Sequence, residues 1–277
     1  MSDRAALKIA SGDYVCVLAP SLGGAILSLS DGKGPLLRSG TAQATSADPR
    51  RSACFPCVPW FGRLSAPVDG VSLKATLPDA SPLPLHGDGW ISAFDVETHT
   101  EDRLQCRYSP QPSPSGFPHP YEAQQDFRLT AQGLTITLSV RNTGARAMPA
   151  GLGLHPYFRR TPASRISFSA DALWTPPASS PGALGALPGG LGSAAFTTLP
   201  DNTIDHSFTG FGGTLLVETA EGVIRLTSAA SILHLYAPAD EDYFCAEPVS
   251  HLPGDFGRAR LAPGASSALT VSIARAA

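Results

Sequence analysis

Two residues in apolar surroundings have side chains that can exchange protons near neutral pH. Glu247 interrupts the otherwise apolar segment YFCAEPV at positions 243–249. Carboxylates are rarely buried without a partner or a task. His155 stands in the segment GLGLHPYF at positions 151–158, where the following proline favours an extended backbone. A carboxylate and an imidazole are typical of general acid-base chemistry, although a core histidine with satisfied hydrogen bonds is an equally good interpretation of His155 alone.

Three further polar residues stand where a packed core does not need them. Arg63 ends the apolar, proline-stiffened segment FPCVPWFGR, and His86 lies in the glycine-rich turn PLHGDGW, which we expect to lead into a strand. Asp205 belongs to the segment TIDHSF. If this segment is extended, Asp205 and His206 point to opposite faces, so only one of them faces a cleft. Taken singly, a surface arginine and a solvated loop histidine are the better interpretations of Arg63 and His86.

The elements that must position these residues are predicted by hydrophobic alternation with a period of two. Apolar residues at 134, 136, 138 and 140 alternate with Thr and Ser, which indicates a strand with one solvated face. Similar runs occur at Tyr14–Leu18, Ala25–Leu29, Trp90–Thr98, Arg103–Tyr108, Tyr121–Thr130, Arg165–Ser169, Leu215–Thr219, Val223–Thr227, Ile232–Tyr236 and Leu269–Ile273. No long window has the 3.6-residue period of an amphipathic helix. We therefore expect an all-β fold, with residues 1–277 forming one large antiparallel β-sandwich.

Two segments are poor strand candidates. Pro176–Gly192 consists mainly of Pro, Ala, Gly and Ser, and Ser109–Pro120 contains five prolines. Both compositions favour surface loops. For Pro176–Gly192, a role in covering a cleft is the alternative to a loose surface connection.

Composition limits the possible partners and compartments. The 277 residues carry a net charge of −3, with 43% apolar and 16% charged residues, which is typical neither of disordered chains nor of basic nucleic-acid binders. No run approaches the roughly 18 apolar residues of a membrane-spanning helix, and no signal-peptide pattern follows Met1. We expect a cytoplasmic protein with a small-molecule partner and neither a membrane nor a nucleic acid.

The five cysteines are an odd number scattered along the chain, which favours reduced thiols over a disulfide framework. Cys54 and Cys57 form a CxxC pair, but no second pair or nearby histidine completes a zinc tetrad. We therefore expect a structural role for them rather than a metal or redox role.

Together, the five polar segments resemble the aldose 1-epimerase (galactose mutarotase) family. In that family an arginine, a His-Gly segment, a His-Pro-Tyr segment, an aspartate and a Glu-Pro segment follow one another in this chain order. The resemblance extends from Pro20–Leu29, similar to an early Gly-Gly turn, to LAPG at 261–264, similar to the turn before the last strand. It implies a large antiparallel β-sandwich of the galactose mutarotase-like supersandwich type, in agreement with the periodicity.

The resemblance also implies a role for each residue. Glu247 becomes the general base and His155 the general acid of a cofactor-independent isomerase, placed on opposite sides of the sugar. Arg63, His86 and Asp205 become sugar-binding residues. Such an enzyme removes the proton of the C1 hydroxyl while it protonates the ring oxygen, and reclosure of the opened ring gives the other anomer. This chemistry needs no metal and no cofactor.

Two departures from the family pattern bear on the substrate. Gly62 stands where many members have an asparagine, in a Pro-Trp-Phe-Gly segment similar to that of hexose-6-phosphate epimerases. Those relatives typically continue after His-Gly with a phosphate-binding arginine, whereas this chain has Asp88 and Trp90 in that region. A phosphate would meet Asp88 without a compensating charge, so we expect a free aldose. Arg159 and Arg160 would reverse this expectation if they pointed into the cleft.

Several alternatives stay open at this point. The function could be that of a hexose-6-phosphate 1-epimerase, or of a non-catalytic sugar-binding protein with the same fold. A metal site built from His86, His155 and Glu247 is less favoured, because their separations match no recognisable ligand spacing. Trp60 and Trp90 are candidates for an apolar wall beside the sugar, with core packing as the alternative. The sequence leaves the identity of the aldose and the oligomeric state open.

Overall fold

The computed structural model describes residues 6–40, 48–175, 183–185 and 190–276. Its strands, in chain order, are β1 (Leu7–Ser11), β2 (Tyr14–Ala19), β3 (Ala25–Asp31), β4 (Gly34–Pro35), β5 (Cys54–Cys57), β6 (Asp95–His99), β7 (Arg103–Tyr108), β8 (Tyr121–Thr130), β9 (Gly133–Asn142), β10 (Met148–Pro149), β11 (Gly153–Arg159), β12 (Arg165–Phe168), β13 (Ala172–Thr175), β14 (Ala183–Gly185), β15 (Thr197–Thr198), β16 (Ile204–Thr209), β17 (Thr214–Thr219), β18 (Gly222–Ser228), β19 (Ile232–Ala237), β20 (Tyr243–Val249), β21 (Arg260–Leu261) and β22 (Ser266–Arg275). The helices of the described residues are two short 3₁₀ turns, Pro49–Arg51 and Gly89–Ile91.

Two large antiparallel sheets account for most strands. The first has eleven strands in the order β1-β2-β3-β5-β11-β20-β19-β16-β13-β14, with β4 paired to β3. The second has nine strands in the order β15-β12-β17-β18-β22-β9-β8-β7-β6, and β10 pairs with β21 separately. The fold is therefore all-β and antiparallel, as the alternation predicted. No helix in the described part of the chain is long and apolar enough to cross a membrane.

The central strands of the first sheet are covered on both faces. One face joins the large core cluster, to which Leu154, Phe158 and Phe244 belong together with residues of the second sheet such as Ile136. The opposite face carries a second apolar cluster that includes Tyr157. Strands buried on both faces lose the polar alternation of solvated strands, which explains the nearly continuous apolar sequence around Glu247.

Most predicted strands are present with small shifts of their ends, but Trp90–Thr98 is partly wrong. Gly89–Ile91 forms a 3₁₀ turn, and the strand begins only at Asp95. The glycine-rich turn around His86 therefore does not lead directly into a strand. The chain is closely packed at this turn, since a Cβ on Gly89 would lie 2.4 Å from a Val58 methyl group.

The two predicted loops have different outcomes. Ser109–Pro120 contains no strand, but Ser115, Phe117 and His119 in it are buried, so it packs on the protein more closely than expected. Of Pro176–Gly192, the described part includes the short strand β14, which pairs with β13. The expectation of a loop is wrong there. The rest of this segment before Gly190 lies outside the described residues.

Candidate functional site

Strand register brings most of the predicted site residues together on one face of the first sheet. His155 lies opposite Phe55 on β5, Glu247 lies opposite His234 on β19, and His234 lies opposite Ser207 on β16. These residues form a row across the sheet, and residues directly opposite one another in an antiparallel sheet share a face. Residues far apart in the sequence therefore become neighbours.

A second row lies two residues further along the same strands, on the same face. Cys245 pairs with Tyr157 on one side and Tyr236 on the other, and Tyr236 pairs with Asp205. His206 alternates to the other face of β16, which confirms that only Asp205 of this pair can face a cleft.

Most residues of the two rows, but not Ser207 or Cys245, line a cavity of about 760 Å³. All five predicted site residues line it, namely Arg63, His86, His155, Asp205 and Glu247. Aromatic side chains supply much of the remaining wall, including Phe55, Phe61, Trp90, Tyr157, Trp174, Tyr236 and Tyr243. An apolar cavity with a few convergent polar groups is typical of a small-molecule site.

Glu247 and His155 contact each other in this cavity. Nε2 of His155 lies 3.3 Å from Oε1 of Glu247, with side chains that are 8% and 1% exposed. Oε2 of Glu247 and Nδ1 of His155 are buried without a hydrogen-bond partner among the described residues. The two groups are thus adjacent in the structure, whereas the resemblance implied positions on opposite sides of the sugar.

Aromatic rings fix the orientation of the His155 imidazole. The ring packs against Phe55, at a centroid distance of 4.3 Å, and against Tyr157, at 4.9 Å. Arg38 packs over the ring of Tyr157 at 4.1 Å and over that of Tyr243 at 4.4 Å, which supports this wall from behind. The imidazole is therefore held in place mainly by packing.

Burial shifts the two pKa values of the contacting pair in opposite directions. It raises the pKa of the Glu247 carboxyl well above its usual range, and the nearby Asp205 raises it further. It lowers the pKa of the His155 imidazole well below its usual range, and the neighbouring His86 and His234 add to this effect. Both shifts favour an uncharged pair, with the proton on Glu247, over an ion pair that contains the same number of protons.

His86 is positioned by an unusual turn that explains its His-Gly motif. His86 has φ 56° and Gly87 has φ 76°, and a Cβ on Gly87 would lie 2.0 Å from the carbonyl oxygen of Val58. Only glycine fits so close to another backbone. The amide of Gly62 donates to Nδ1 of His86 at 3.2 Å, so Nε2 carries the proton of the neutral ring. Burial lowers the pKa of His86 to about 3, which keeps the ring neutral.

The same turn accounts for the departure at position 62. Gly62 has φ 77°, in the left-handed region that glycine adopts readily and asparagine tolerates. The next residue, Arg63, forms an isolated antiparallel β-bridge with Leu85, and its side chain is exposed at the cavity wall. Glycine in place of asparagine at position 62 therefore has a backbone explanation that is independent of the substrate.

Asp205 has a partner that the sequence reasoning missed. Oδ1 of Asp205 lies 3.1 Å from Nε2 of His234, and Nδ1 of His234 lies 2.9 Å from Oγ of Ser207. The hydrogen bond from His234 holds the pKa of Asp205 below its usual range. The signal was present in the sequence, because Ile232, His234 and Tyr236 alternate with Leu233 and Leu235 and thus share one face.

The structure decides between the two roles weighed for Trp60 and Trp90, and it corrects the expectation for Asp88. Trp90 lines the cavity, but Trp60 packs in the core against Phe117 and Phe256. Asp88 is fully buried away from the cavity, where Ser113 and Ser115 hold its carboxylate, so it does not oppose a bound phosphate.

Neither Arg159 nor Arg160 lines the main cavity, so the condition that would reverse the expectation of a free aldose is not met. Arg160 donates to the carbonyl oxygens of Pro238 and Pro200, and Arg159 lines a separate cavity of about 200 Å³. The second arginine of the main cavity, besides Arg63, is Arg50, which pairs with Asp48 at 2.8 Å. Sequence reasoning missed Arg50 because nothing in the local pattern places it near the other site residues.

Comparison with known proteins decides the family. The family model described as aldose 1-epimerase matches residues 6–251. The chain belongs to the aldose 1-epimerase family. It is 33% identical to the uncharacterized protein YphB of Escherichia coli K12 over 269 residues, covering 86% of this chain and 88% of that protein.

Solved structures of similar proteins agree with this family and its fold. A crystal structure from Escherichia coli K12, provisionally named as an aldose 1-epimerase, has a TM-score of 0.86 and 28% identity, with 98% of each chain covered. A galactose mutarotase-like protein from Lactobacillus casei has a TM-score of 0.78 and 16% identity over 98% of this chain and 99% of that one. The latter similarity shows the galactose mutarotase-like fold alone.

Proposed function

We propose that this member of the aldose 1-epimerase family interconverts the α and β anomers of a free aldose by acid-base catalysis. The observation that carries the proposal is the Glu247–His155 contact of 3.3 Å inside a cavity large enough for a sugar. Each of the two residues has a second buried polar atom without a partner among the described residues. Buried polar atoms are normally paired, so these atoms suit the hydroxyls of a ligand.

The adjacency of the two groups fits the geometry of the reaction. The C1 hydroxyl oxygen and the ring oxygen are bonded to the same carbon, so a base and an acid in contact can serve both. Glu247 accepts the proton of the C1 hydroxyl while His155 donates a proton to the ring oxygen, and the C1–ring-oxygen bond breaks. Rotation about the C1–C2 bond and reclosure with reversed proton transfers gives the other anomer.

One proton shared by the pair is sufficient for this cycle. Ring opening starts from an ionised Glu247 and a protonated His155 and leaves Glu247 protonated and His155 neutral. Reclosure starts from that second form. Without a sugar, the site favours the form in which Glu247 is protonated and His155 is neutral. Transfer of one proton across the 3.3 Å contact converts this form into the one that opens the ring.

The remaining residues bind and orient the sugar in this proposal. Asp205 accepts hydrogen bonds from sugar hydroxyls, held in position by His234 at 3.1 Å. The neutral His86 donates through Nε2, and the guanidinium of Arg63 holds adjacent hydroxyls. Trp90 and the other aromatic side chains of the cavity pack against the apolar face of the ring.

A hexose-6-phosphate is the second candidate substrate because Arg50 lines the same cavity. Free aldoses stay the favoured substrates because Asp48 already neutralises Arg50 at 2.8 Å. A phosphate carries about two negative charges near pH 7 and needs cationic donors.

The first sheet contains strands from β1 near the start of the chain to β20 near its end. This supports the proposal that residues 1–277 form one domain, which contains the whole cavity.

A comparison of pure anomers tests both candidates. The mutarotation of glucose and galactose and of their 6-phosphates is followed by NMR with purified protein, and we expect a higher kcat/KM for the free sugars. Arg50→Ala should leave turnover of the free sugars unchanged, with Arg159→Ala as the matched control outside this cavity. A preference for phosphorylated sugars that disappears in Arg50→Ala would favour the second candidate. If no sugar is turned over but sugars still bind, the protein is a non-catalytic sugar-binding protein.

A further inference from the structure

Cys245 places a thiol next to the Glu247–His155 pair. Cys245 and Glu247 lie two residues apart on β20, so their side chains leave the same face of the sheet. One donor atom from each of His155, Cys245 and Glu247 lies within 4.8 Å of the other two, and all three residues are buried. Nitrogen, sulfur and oxygen donors thus converge next to the cavity, which His155 and Glu247 line.

A second observation points to a ligand at this position. Glu247 is only 1% exposed, and its Oε2 has no hydrogen-bond partner in the described part of the chain. A buried carboxylate oxygen without a donor costs free energy unless a ligand or a cation satisfies it. Glu247 and His155 both line the cavity, so a small cation that enters it meets the Glu247 carboxyl group.

The donor set selects a particular class of cation. Hard cations such as Mg²⁺ and Ca²⁺ prefer oxygen ligands, whereas thiolate and imidazole together suit Zn²⁺ and its heavier congener Cd²⁺. Zinc bonds to sulfur at about 2.3 Å and to nitrogen or oxygen at about 2.0–2.2 Å. Three such bonds hold the donor atoms about 3.5 Å apart, so the donors need to move by on the order of 1 Å.

We propose that Cys245, His155 and Glu247 form a binding site for a thiophilic divalent cation of the Zn²⁺ or Cd²⁺ class. The cation bonds to the imidazole nitrogen and the carboxylate oxygen that exchange protons in the proposed reaction. Metal binding therefore switches the enzyme off, and a bound sugar and the cation compete for His155 and Glu247, which line the cavity. The inhibition rests on the proposed function, whereas the binding site itself does not.

Direct binding measurements test the site without any reference to turnover. Zn²⁺ is titrated into the full chain by calorimetry, and Co²⁺ serves as a spectroscopic probe because thiolate ligation gives a charge-transfer absorption. We expect one Zn²⁺ per chain and a thiolate-to-cobalt band. Cys245→Ser should weaken Zn²⁺ binding on the order of 100-fold, by analogy with losses at other metal sites, and abolish the band. Cys106→Ser, which changes another buried thiol, is the matched control and should retain both.

Turnover then supplies a separate readout. Zn²⁺ should inhibit mutarotation by the wild type and by Cys106→Ser, and EDTA should restore it. Cys245→Ser should lose the inhibition, measured relative to its own mutarotation rate without Zn²⁺.

Two results would overturn the metal site: no Zn²⁺ binding by the wild type, or equal binding by Cys245→Ser. If Cys245→Ser does not fold, Glu247→Gln replaces it, and undiminished Zn²⁺ binding by that variant has the same meaning. A protein that binds Zn²⁺ as described but turns over no sugar contradicts the proposed function alone. A mutarotase that binds no Zn²⁺ contradicts the metal site alone.

Discussion

Asp88 and Glu247 are both buried carboxyl groups, 0% and 1% exposed, but their surroundings differ. Asp88 accepts hydrogen bonds from Oγ of Ser113 at 2.6 Å and from the amide of Ser115 at 3.0 Å. Glu247 has the contact with His155 at 3.3 Å, and its second oxygen has no partner among the described residues. The protein thus satisfies one buried carboxyl group and leaves the other open towards a cavity.

The difference separates a structural carboxyl group, Asp88, from a candidate catalytic one, Glu247. Burial raises the pKa of both groups, but for Asp88 the hydrogen bonds from Ser113 and Ser115 oppose the increase. Fixed donors stabilise the local fold and leave no capacity for a ligand. An unpaired oxygen lowers stability but is available to a substrate, which is the compromise expected at functional sites.

Replacing His155, the partner of Glu247, should have the largest effect on kcat. His155→Asn removes Nε2, the proton donor at the ring oxygen in our proposal, and should lower kcat on the order of 10²- to 10⁴-fold. This is roughly 3–5 kcal/mol of activation free energy. Steady-state mutarotation kinetics and sugar binding by calorimetry give the two readouts. A variant with unchanged kcat would remove His155 from the proposed mechanism.

Replacing the satisfied carboxyl group should change stability instead of catalysis. Asp88→Asn brings an amide group against the donors from Ser113 and Ser115, and should lower the free energy of unfolding by about 1–3 kcal/mol. Denaturant unfolding measures this loss. Under conditions where the variant is folded, its kcat and KM should match those of the wild type. A specific loss of kcat in a fully folded Asp88→Asn would break the distinction between the two carboxyl groups.

His234 should affect sugar binding more than chemistry. His234→Phe removes the hydrogen bond that positions Asp205, and we expect a roughly fivefold higher KM, the effect of one hydrogen bond of about 1 kcal/mol, with a smaller change in kcat. His234→Gln keeps a donor near the position of Nε2 and should restore most of the affinity. Equal losses in both variants would contradict a positioning role.

The pH profile should reflect the opposite pKa shifts of the pair. The active form holds one proton, so activity falls at low pH when His155 gains a proton while Glu247 retains its own. It falls at high pH when Glu247 loses the shared proton. Because the pKa of His155 is lowered and that of Glu247 is raised, the kcat/KM plateau should extend beyond the window between about 4.3 and 6.5 given by unperturbed groups. A narrow bell-shaped dependence of kcat/KM on pH, confined to that window, would contradict the proposal that the free pair is uncharged.

The sequence predicted the all-β fold because solvated strands such as β9 alternate strictly, and it predicted which five residues line the cavity because their motifs keep a family order. The contacts between side chains on different strands follow from the register of strand pairing, which local sequence patterns do not contain. The contact of His155 with Glu247 depends on the pairing of β11 with β20, and that of Asp205 with His234 on the pairing of β16 with β19.

Asp88 shows why the remainder could not be predicted. In the sequence it follows the His-Gly motif directly and looks like a cavity residue. Its actual direction is set by Ser113 and Ser115, which belong to a proline-rich segment without a periodic pattern. Arg50 lies in a 3₁₀ turn shortly before the FPCVPWFGR segment, but no local pattern indicates that it lines the cavity.

The central claim, that Glu247 is the base of a mutarotase, is tested most directly by exchange of a pure anomer. Purified wild type and Glu247→Gln are each mixed with α-glucose and with α-galactose, and the appearance of the β anomer is followed by NMR. We expect the wild type to accelerate the exchange well above the spontaneous rate. Glu247→Gln should be slower on the order of 10²- to 10⁴-fold while it still binds the sugar, because the amide keeps the shape but accepts no proton. Near-wild-type exchange by Glu247→Gln would contradict the claim.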